Sequence, residues 1–320
     1  MHRRFLTAMM SFLACGGASA PPAHRSSLTF GTNGINANGC VVSDGEVYCW
    51  SATGAPEVAG RSAPKLGLDT AARVEGLPPV AIVRSGQDRI WASTRDAGIF
   101  WWGLEKNPEP KQLEGIGSVS ALAASAETAC GLIGDEVWCW GLNTYDVVEA
   151  DAGFLVLPPR RIRSGAVDIS MNYGLACATL KDGTLSCWGG GGGQPLDPFT
   201  DIAFYSNNCR LNHAGSLRCG SNHRLEGVKR LGRRDGAFNS GNCLVLNDGG
   251  VECWDFQEEL EGRVRIAALN DPVELAVSPY PALARPATEP HGCALQRDGS
   301  VYCFSIDVPD AGGHLVRGLP

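Results

Sequence analysis

The stretch CATLKDGTLSCWG, Cys177 to Gly189, has two cysteines ten positions apart, an Asp-Gly between them and a Trp-Gly after them. Five other stretches are built alike: CVVSDGEVYCW (40–50), CGLIGDEVWCWG (130–141), CRLNHAGSLRCG (209–220), CLVLNDGGVECW (243–254) and CALQRDGSVYCF (293–304). A seventh, WASTRDAGIFWWG (91–103), carries Trp91 and Trp101 where the others have cysteine. The second marked position falls at 49, 101, 139, 187, 219, 253 and 303. A fixed core with elastic spacers is the signature of a repeat array with variable loops.

Turn chemistry fixes what each copy is. Four copies leave three residues at the centre: Lys181-Asp182-Gly183, His213-Ala214-Gly215, Asn247-Asp248-Gly249 and Arg297-Asp298-Gly299. The third place of such a hairpin loop is left-handed, and glycine fills it each time. Two copies have cysteines nine apart and need two-residue loops. Asp44-Gly45 suits a type I′ turn and Gly134-Asp135 a type II′ turn. Both lengths set the cysteines directly opposite each other at a non-hydrogen-bonded pair, with Cα atoms ~4.5 Å apart, which a disulfide can span. The expected bonds are Cys40–Cys49, Cys130–Cys139, Cys177–Cys187, Cys209–Cys219, Cys243–Cys253 and Cys293–Cys303. In the tryptophan copy the central loop would be Arg95-Asp96-Ala97, with alanine in glycine's place. A register slip is expected there, with a stacked Trp91/Trp101 pair in place of the bridge.

Residues two steps in from each cysteine share its face: Val42/Val47, Leu132/Val137, Thr179/Leu185, Leu211/Leu217, Val245/Val251 and Leu295/Val301. That face is apolar and is expected to pack on a neighbouring sheet. The Trp after the second cysteine (Trp50, Trp140, Trp188, Trp254) points the other way. Upstream apolar segments, at 80–83, 119–123, 167–171 and 201–205, supply at least one more strand per repeat. Three or four strands every ~40 residues, seven times over, predict an all-β, seven-bladed β-propeller spanning 28–320. Val316-Arg317-Gly318-Leu319-Pro320 echoes Val74-Glu75-Gly76-Leu77-Pro78. The N- and C-terminal strands are therefore expected to pair, completing one blade together and removing exposed edges.

Residues 1–20 read as an export signal: a basic start at Arg3-Arg4, an apolar run from Phe5 to Ala14, and Ala18-Ser19-Ala20 as a cleavage pattern. Residues 21–27 then form a short linker. Cys15, after Phe12-Leu13-Ala14, offers a second reading, a lipoprotein signal ending before a lipidated Cys15. Either reading places the chain outside the cytoplasm, as a bacterial envelope lipoprotein or a secreted or periplasmic protein. Twelve regularly spaced cysteines fit that oxidising setting. Membrane contact would come only through the lipid anchor. The whole chain has a net charge of −7, and losing Arg3 and Arg4 makes it more acidic. That balance is poor for gripping phosphate backbones, so no nucleic-acid partner is expected.

The hairpins CATLKDGTLSCWG, CGLIGDEVWCWGLN and CALQRDGSVYCF resemble repeats of the regulator of chromosome condensation family, which look like (C)AL-x-x-DG-x-V-x-x-WG-x-N in a seven-bladed propeller. The family's GQLG segment is nearly absent; Gly193-Gln194-Pro195-Leu196 is its nearest relic. The cysteine at the end of the second strand resembles the exported bacterial branch. Some exported members are similar to beta-lactamase inhibitor protein II, which covers an enzyme's active site with a propeller face. The resemblance therefore implies binding of another macromolecule, and it assigns no binding residue.

Metal and catalytic readings find little support in the residues. Zinc sites want cysteines two to four apart, and Cys-x-x-Cys is absent. His24, His213, His223, His291 and His314 are scattered. The run Gly189 to Gly193 lacks the Lys and Ser/Thr of a phosphate loop. A single Asp per turn is explained by turn chemistry. The expectation is a monomeric, cofactor-free, non-catalytic module that binds a protein through the long spacers 51–75, 142–163 and 255–290. The alternatives are a cell-surface carbohydrate-binding or structural protein, or an enzyme with a site in the central channel.

Overall fold

The structure, a computed structural model, describes residues 25–32, 37–51, 70–86, 89–103, 109–125, 127–172, 174–190, 202–206, 209–219, 223–234, 242–254, 259–277, 290–307, 309 and 313–320. The export segment, Cys15 and the 193–196 relic lie outside them. Among the described residues no helix is long and apolar enough to cross a membrane.

Seven sheets follow one another along the chain, antiparallel except for one short parallel pair. Blade 1 is β1 (Arg25–Thr32), β2 (Ala37–Ser43), β3 (Glu46–Ser51) and β4 (Ala72–Arg73). Blade 2 is β5 (Val80–Ser85), β6 (Arg89–Thr94), β7 (Ile99–Gly103) and β8 (Lys111–Gln112). Blade 3 is β9 (Ala121–Ser125), β10 (Thr128–Ile133), β11 (Glu136–Leu142) and β12 (Val156–Arg163). In blade 4 the described strands are β13 (Ala166–Asn172), β14 (Leu175–Leu180) and β15 (Leu185–Gly189). Blade 5 is β16 (Ile202–Ser206), β17 (Cys209–Asn212), β18 (Leu217–Cys219) and β19 (His223–Leu225). Blade 6 is β20 (Val228–Leu231), β22 (Asn242–Leu246), β23 (Gly250–Trp254) and β24 (Val264–Asn270); the short β21 (Arg233–Arg234) follows β20 in sequence but pairs in parallel with residues 276–277 of blade 7. Blade 7 is β25 (Glu274–Val277), β26 (Gly292–Leu295), β27 (Val301–Phe304) and β28 (His314–Leu315). The first strand of each sheet is innermost, and first strands touch their neighbours around the ring, β25 against β1 and β1 against β5. The stretch read as a linker already contributes to β1.

The hairpin arithmetic holds in detail. All six cysteine pairs are directly opposite and at disulfide distance. Asp44 and Gly45 both have positive φ, as type I′ requires, while at Gly134-Asp135 only Gly134 does. Gly183, Gly215, Gly249 and Gly299 are all left-handed.

Blade 2 departs from expectation. No slip occurs: Trp91 lies opposite Trp101, and Ser93 opposite Ile99. The left-handed residue moves one place to Gly98, with φ 85°. The Thr94 hydroxyl closes the turn, accepting from the Ala97 N–H at 3.0 Å and donating to the Gly98 carbonyl at 2.7 Å. The indoles are tilted at 42° with centroids 6.2 Å apart, so they are not stacked. Trp91 instead meets Trp140 of blade 3 edge-on, at 6.1 Å and 73°. A fully buried indole follows the packing of the next blade rather than its own cross-strand partner.

Both faces of a blade are buried, because each is sandwiched between two others. The cysteine face of one blade packs on the tryptophan face of the next. Cys40, Val42, Val47 and Cys49 of blade 1 meet Ile90, Ala92 and Trp102 of blade 2. Cys293, Leu295, Val301 and Cys303 of blade 7 meet Leu28, Phe30, Val41 and Trp50 of blade 1. The aromatic needs a small residue across the strand: a Cβ on Gly39 would lie 2.2 Å from the Trp50 ring.

Closure is where the expectation fails. Among the described residues β1 pairs only with β2, and β28 only with β27, so no sheet there is shared between the two ends. The match between 316–320 and 74–78 has another origin. Both are the link that follows an outer strand: Val316 donates to the Val301 carbonyl as Val74 does to that of Val47, and Gly318 and Gly76 are both left-handed. Repeat and blade boundaries coincide, so the last repeat ends where a next inner strand would begin. Blade 7 reaches blade 1 through one isolated bridge, Thr70 to Arg317, and through side chains.

Candidate functional site

Of the three spacers expected to bind, 142–163 is described throughout. Its last eight residues are strand: β12 is the outer edge of blade 3. Likewise 255–290 contains β24 and β25. The remainder of the first spacer, residues 143–155, is a compact rim loop organised by Asn143.

Asn143 ends the segment Trp140-Gly141-Leu142-Asn143, the one complete WG-x-N in the chain. Gly141 has φ 101°, and a Cβ there would lie 2.3 Å from the Glu127 carbonyl, so the chain can turn there only with glycine. Asn143 is 1% exposed. Its Oδ1 accepts from the N–H groups of Val148 (2.9 Å) and Glu149 (3.1 Å). Its Nδ2 donates to the carbonyls of Glu149 (2.8 Å) and Gly153 (3.2 Å). One side chain thus supplies what a strand partner otherwise would. Val147 and Val148 insert into the cluster shared by blades 3 and 4, and the Trp188 indole donates to the Val147 carbonyl at 2.9 Å. Replacing Asn143 with alanine strands the buried Val148 N–H, removes the partner of the part-buried Glu149 N–H, and is expected to cost about 2 kcal/mol. Native-state hydrogen exchange would show faster exchange at 148 and 149, with the blade hairpins unchanged.

The loop is held in costly conformations. Tyr145, Asp146 and Asp151 have φ of 60°, 58° and 60°, a region non-glycine residues seldom occupy. Such strain persists only where surrounding bonds over-determine it. The loop, β12 and Trp188 enclose a groove of about 420 Å³. The Arg163 guanidinium lies over the Trp188 ring at 4.2 Å and donates to the Ser186 hydroxyl. Burial lowers its pKa below the ordinary arginine value. At the end of the loop and the start of β12, Phe154, Leu155 and Val156 are 75%, 58% and 64% exposed. They are three consecutive apolar side chains on a rigid base.

The central channel holds a different arrangement. Arg84 of β5 is 5% exposed and pairs with Glu274 of β25 at 3.3 Å. All its donors are directed at Ser27, Glu274 and backbone carbonyls. Among the described residues no three His, Cys, Asp or Glu side chains converge on one point. His213 sits exposed in its hairpin turn. The spacer was legible in the sequence and the exposed apolar triplet was not, although four apolar residues, Phe154 to Leu157, stand between Gly153 and Pro158-Pro159 as a run belonging to no hairpin.

No family model matches the chain, and no curated protein matches its sequence. Solved structures do. Yeast RCC1 (Prp20), solved bound to Kap60, is 12% identical, with 88% of this chain and 70% of that one covered at a TM-score of 0.50. A second structure of Prp20 from Saccharomyces cerevisiae, described with its binding to Gsp1p and histones, gives 12%, 90%, 76% and 0.50. The CRINKLY ectodomain of the Arabidopsis thaliana receptor kinase ACR4 gives 13%, 89%, 97% and 0.57. Identities this low speak for the fold alone, and what the chain shares with these proteins is the seven-bladed, RCC1-like propeller.

Proposed function

We propose that this protein is an exported, non-catalytic propeller that captures a protein partner through the rim loop of blade 3. The observation that carries the reading is the triplet Phe154-Leu155-Val156, exposed on a loop fixed by Asn143. Solvent-facing apolar side chains gathered on a rigid base have the character of an interface core. A pre-ordered loop also loses little entropy on binding. Yeast RCC1, which has this fold, was solved with a protein partner, and that supports the class. Six cysteine pairs at disulfide distance support an oxidising compartment. The channel carboxylate Glu274 is already engaged by Arg84 and the Leu28 N–H, which speaks against a channel active site.

The test is affinity capture from the envelope and secreted fractions of the producing cell, using the mature chain and its Phe154→Ser/Leu155→Ser variant. A bound protein retained by the parent and weakened about a hundredfold or more with the variant is expected, as for truncation of two interface anchors. The variant's melting temperature should stay within about 2 °C of the parent's, because exposed side chains contribute little to stability. Equal capture by both chains, or substrate turnover by the isolated protein, would sink the reading.

A further inference from the structure

The links into blades 4 and 6 turn on left-handed glycines directly before the inner strand, Gly165 with φ 82° and Gly227 with φ 77°. The link into blade 7 turns on Asp271, with φ 43°, in a region that few residues besides glycine, asparagine and aspartate enter. Its N–H donates to the Gly249 carbonyl of the blade 6 turn at 2.7 Å. Charge gathers on its side chain. Lys229 donates to Oδ1 at 2.9 Å and to Oδ2 at 2.8 Å. Arg297, in the blade 7 hairpin turn, donates to Oδ2. Arg230 Nη1 lies 3.6 Å from Oδ1. Three cations from two blades thus share one carboxylate, and two positive charges are in excess. The hydrogen bonds from Lys229 and then Arg297 hold the Asp271 pKa at about 2, so the carboxylate stays ionised.

Arg230 is the least satisfied of the three. Its Nε and Nη2 are buried and bonded to nothing, and 3.6 Å is too long for a hydrogen bond from Nη1. Burial lowers its pKa below the ordinary arginine value. Enclosed guanidinium nitrogens without acceptors are held at a cost. The nearby carboxylates are engaged elsewhere. Glu274 accepts from Arg84 and the Leu28 N–H. Asp248 accepts from the Gly250 N–H and pairs with Arg265. Asp298, beside Arg297 in the turn, accepts from the N–H and hydroxyl of Ser300. An ammonium has three donors and a guanidinium five, so most donors of the cluster are left over after Asp271. The segments that carry it, 226–233, 247–250, 270–274 and 295–300, all lie within the described residues.

We propose that the seam between blades 6 and 7 binds a phosphate or sulfate dianion, held by Lys229, Arg230 and Arg297 beside Asp271. Two excess positive charges match a doubly negative ligand. A tetrahedral oxyanion offers a separate acceptor to each of three donors, whereas a carboxylate has two oxygens to share among them. Arginine forks suit such groups, and Arg230 gains the acceptor it lacks. No Trp, Tyr or Phe occurs in the four segments around the cluster, so a base or ring has no stacking platform there and recognition is of the anion itself. The same group can arrive as free phosphate, as a phosphomonoester on a sugar or as a lipid headgroup. The cluster lies at the hairpin-turn end of the ring. The blade 3 rim loop follows the far end of β11, so the site stands whether or not that loop captures a protein.

The experiment follows, by calorimetry and thermal melting at physiological salt, the binding of inorganic phosphate, sulfate, glucose 6-phosphate, phosphatidic acid vesicles and a poly-glutamate peptide to the mature chain. Added chloride is the control. Saturating phosphate or sulfate should raise the melting temperature by about 3 °C or more, and the same concentration of chloride should do nothing. Arg230→Gln/Arg297→Gln should lose about a hundredfold in phosphate affinity, roughly tenfold per charge-assisted contact. Lys229→Gln, at an exposed position, should lose about tenfold and keep the fold. Asp271→Asn should act with the opposite sign. Asparagine tolerates the left-handed backbone, and the change removes a like charge beside the ligand, so phosphate affinity should rise about tenfold even though the ligand-free chain loses ion pairs and melts lower. A merely structural ion cluster would lose stability in every variant and bind no anion. The tightest of phosphate, glucose 6-phosphate and vesicle names the source of the group. Stabilisation that chloride matches, phosphate affinity unchanged in the arginine variant, affinity lowered by Asp271→Asn, or tighter binding of poly-glutamate than of every phosphate probe would overturn the proposal.

Discussion

Replacing Arg84 with methionine is expected to lower the unfolding free energy by about 3 kcal/mol, the lower end of the usual cost of removing one member of a buried ion pair, because Glu274 keeps Arg233 at 3.8 Å. The side chain is 6% exposed and that of its partner Glu274 16%. Arg84 leaves blade 2 and donates to the Ser27 hydroxyl at 2.9 Å and the Val83 carbonyl at 2.7 Å, with a longer contact to the Leu28 carbonyl at 3.4 Å. It also donates to the Leu122 carbonyl of blade 3 at 3.2 Å and to Glu274 of blade 7 at 3.3 Å. Glu274 in turn accepts from the Leu28 N–H of blade 1 at 2.6 Å. One guanidinium therefore ties four blades together across the junction where the chain ends meet. Among the described residues that junction has no shared strand, only the isolated bridge of Thr70 to Arg317, so most of the bonds a closing strand would supply fall to side chains. Urea unfolding of Arg84→Met, Glu274→Met and the double variant would measure this. The double variant should be less destabilised than the sum of the singles, because neither Arg84 nor Glu274 is left without the other; Arg233, 3.8 Å from Glu274 and a third exposed, keeps access to water. A loss below about 1 kcal/mol in Arg84→Met would show that blade packing alone closes the ring.

Reduction is expected to unfold the protein. Each of the six bonds closes a loop with a sequence separation of 9 or 10 residues. Chain-entropy reasoning gives about 2.5–3 kcal/mol for each. Together they reach about 15 kcal/mol, as large as the whole stability of an ordinary domain. Thermal melts followed by near-ultraviolet circular dichroism, with and without a phosphine reductant, should lose the cooperative transition on reduction. Removal of one bond, as in Cys293→Ser/Cys303→Ser, should cost about 2–3 kcal/mol and leave the fold intact. A reduced chain that melts at the same temperature as the oxidised one would show the bridges to be redundant with the inter-blade packing.

The legible parts of this protein were local. CATLKDGTLSCWG carried its own turn type, strand register and cysteine partner, because loop length and a left-handed glycine leave a hairpin no other geometry. Seven copies of that unit implied the propeller. Blade 2 was less legible, since its loop has no glycine at the usual third place. The Thr94 hydroxyl and a displaced Gly98 restored the register, a side-chain solution that no glycine pattern reveals. Asn143 was visible as part of a WG-x-N segment. Its role in ordering the rim loop was not, because the groups it bonds are brought to it only by the folded loop.

The sequence alone determined the hairpins, their turns, the cysteine pairing and the seven-fold repeat, all consequences of short-range geometry within a dozen residues. Tertiary structure alone decided how the ring closes, which faces are buried twice, which apolar residues stay exposed, and where three cations gather on one carboxylate. Arg84 and Glu274 stand 190 residues apart, and Lys229, Arg230 and Arg297 meet at Asp271 only when blade 7 docks on blade 6. Such features depend on which sheet lies beside which. That order is set by the packing of whole blades, and the pattern within a single repeat does not contain it.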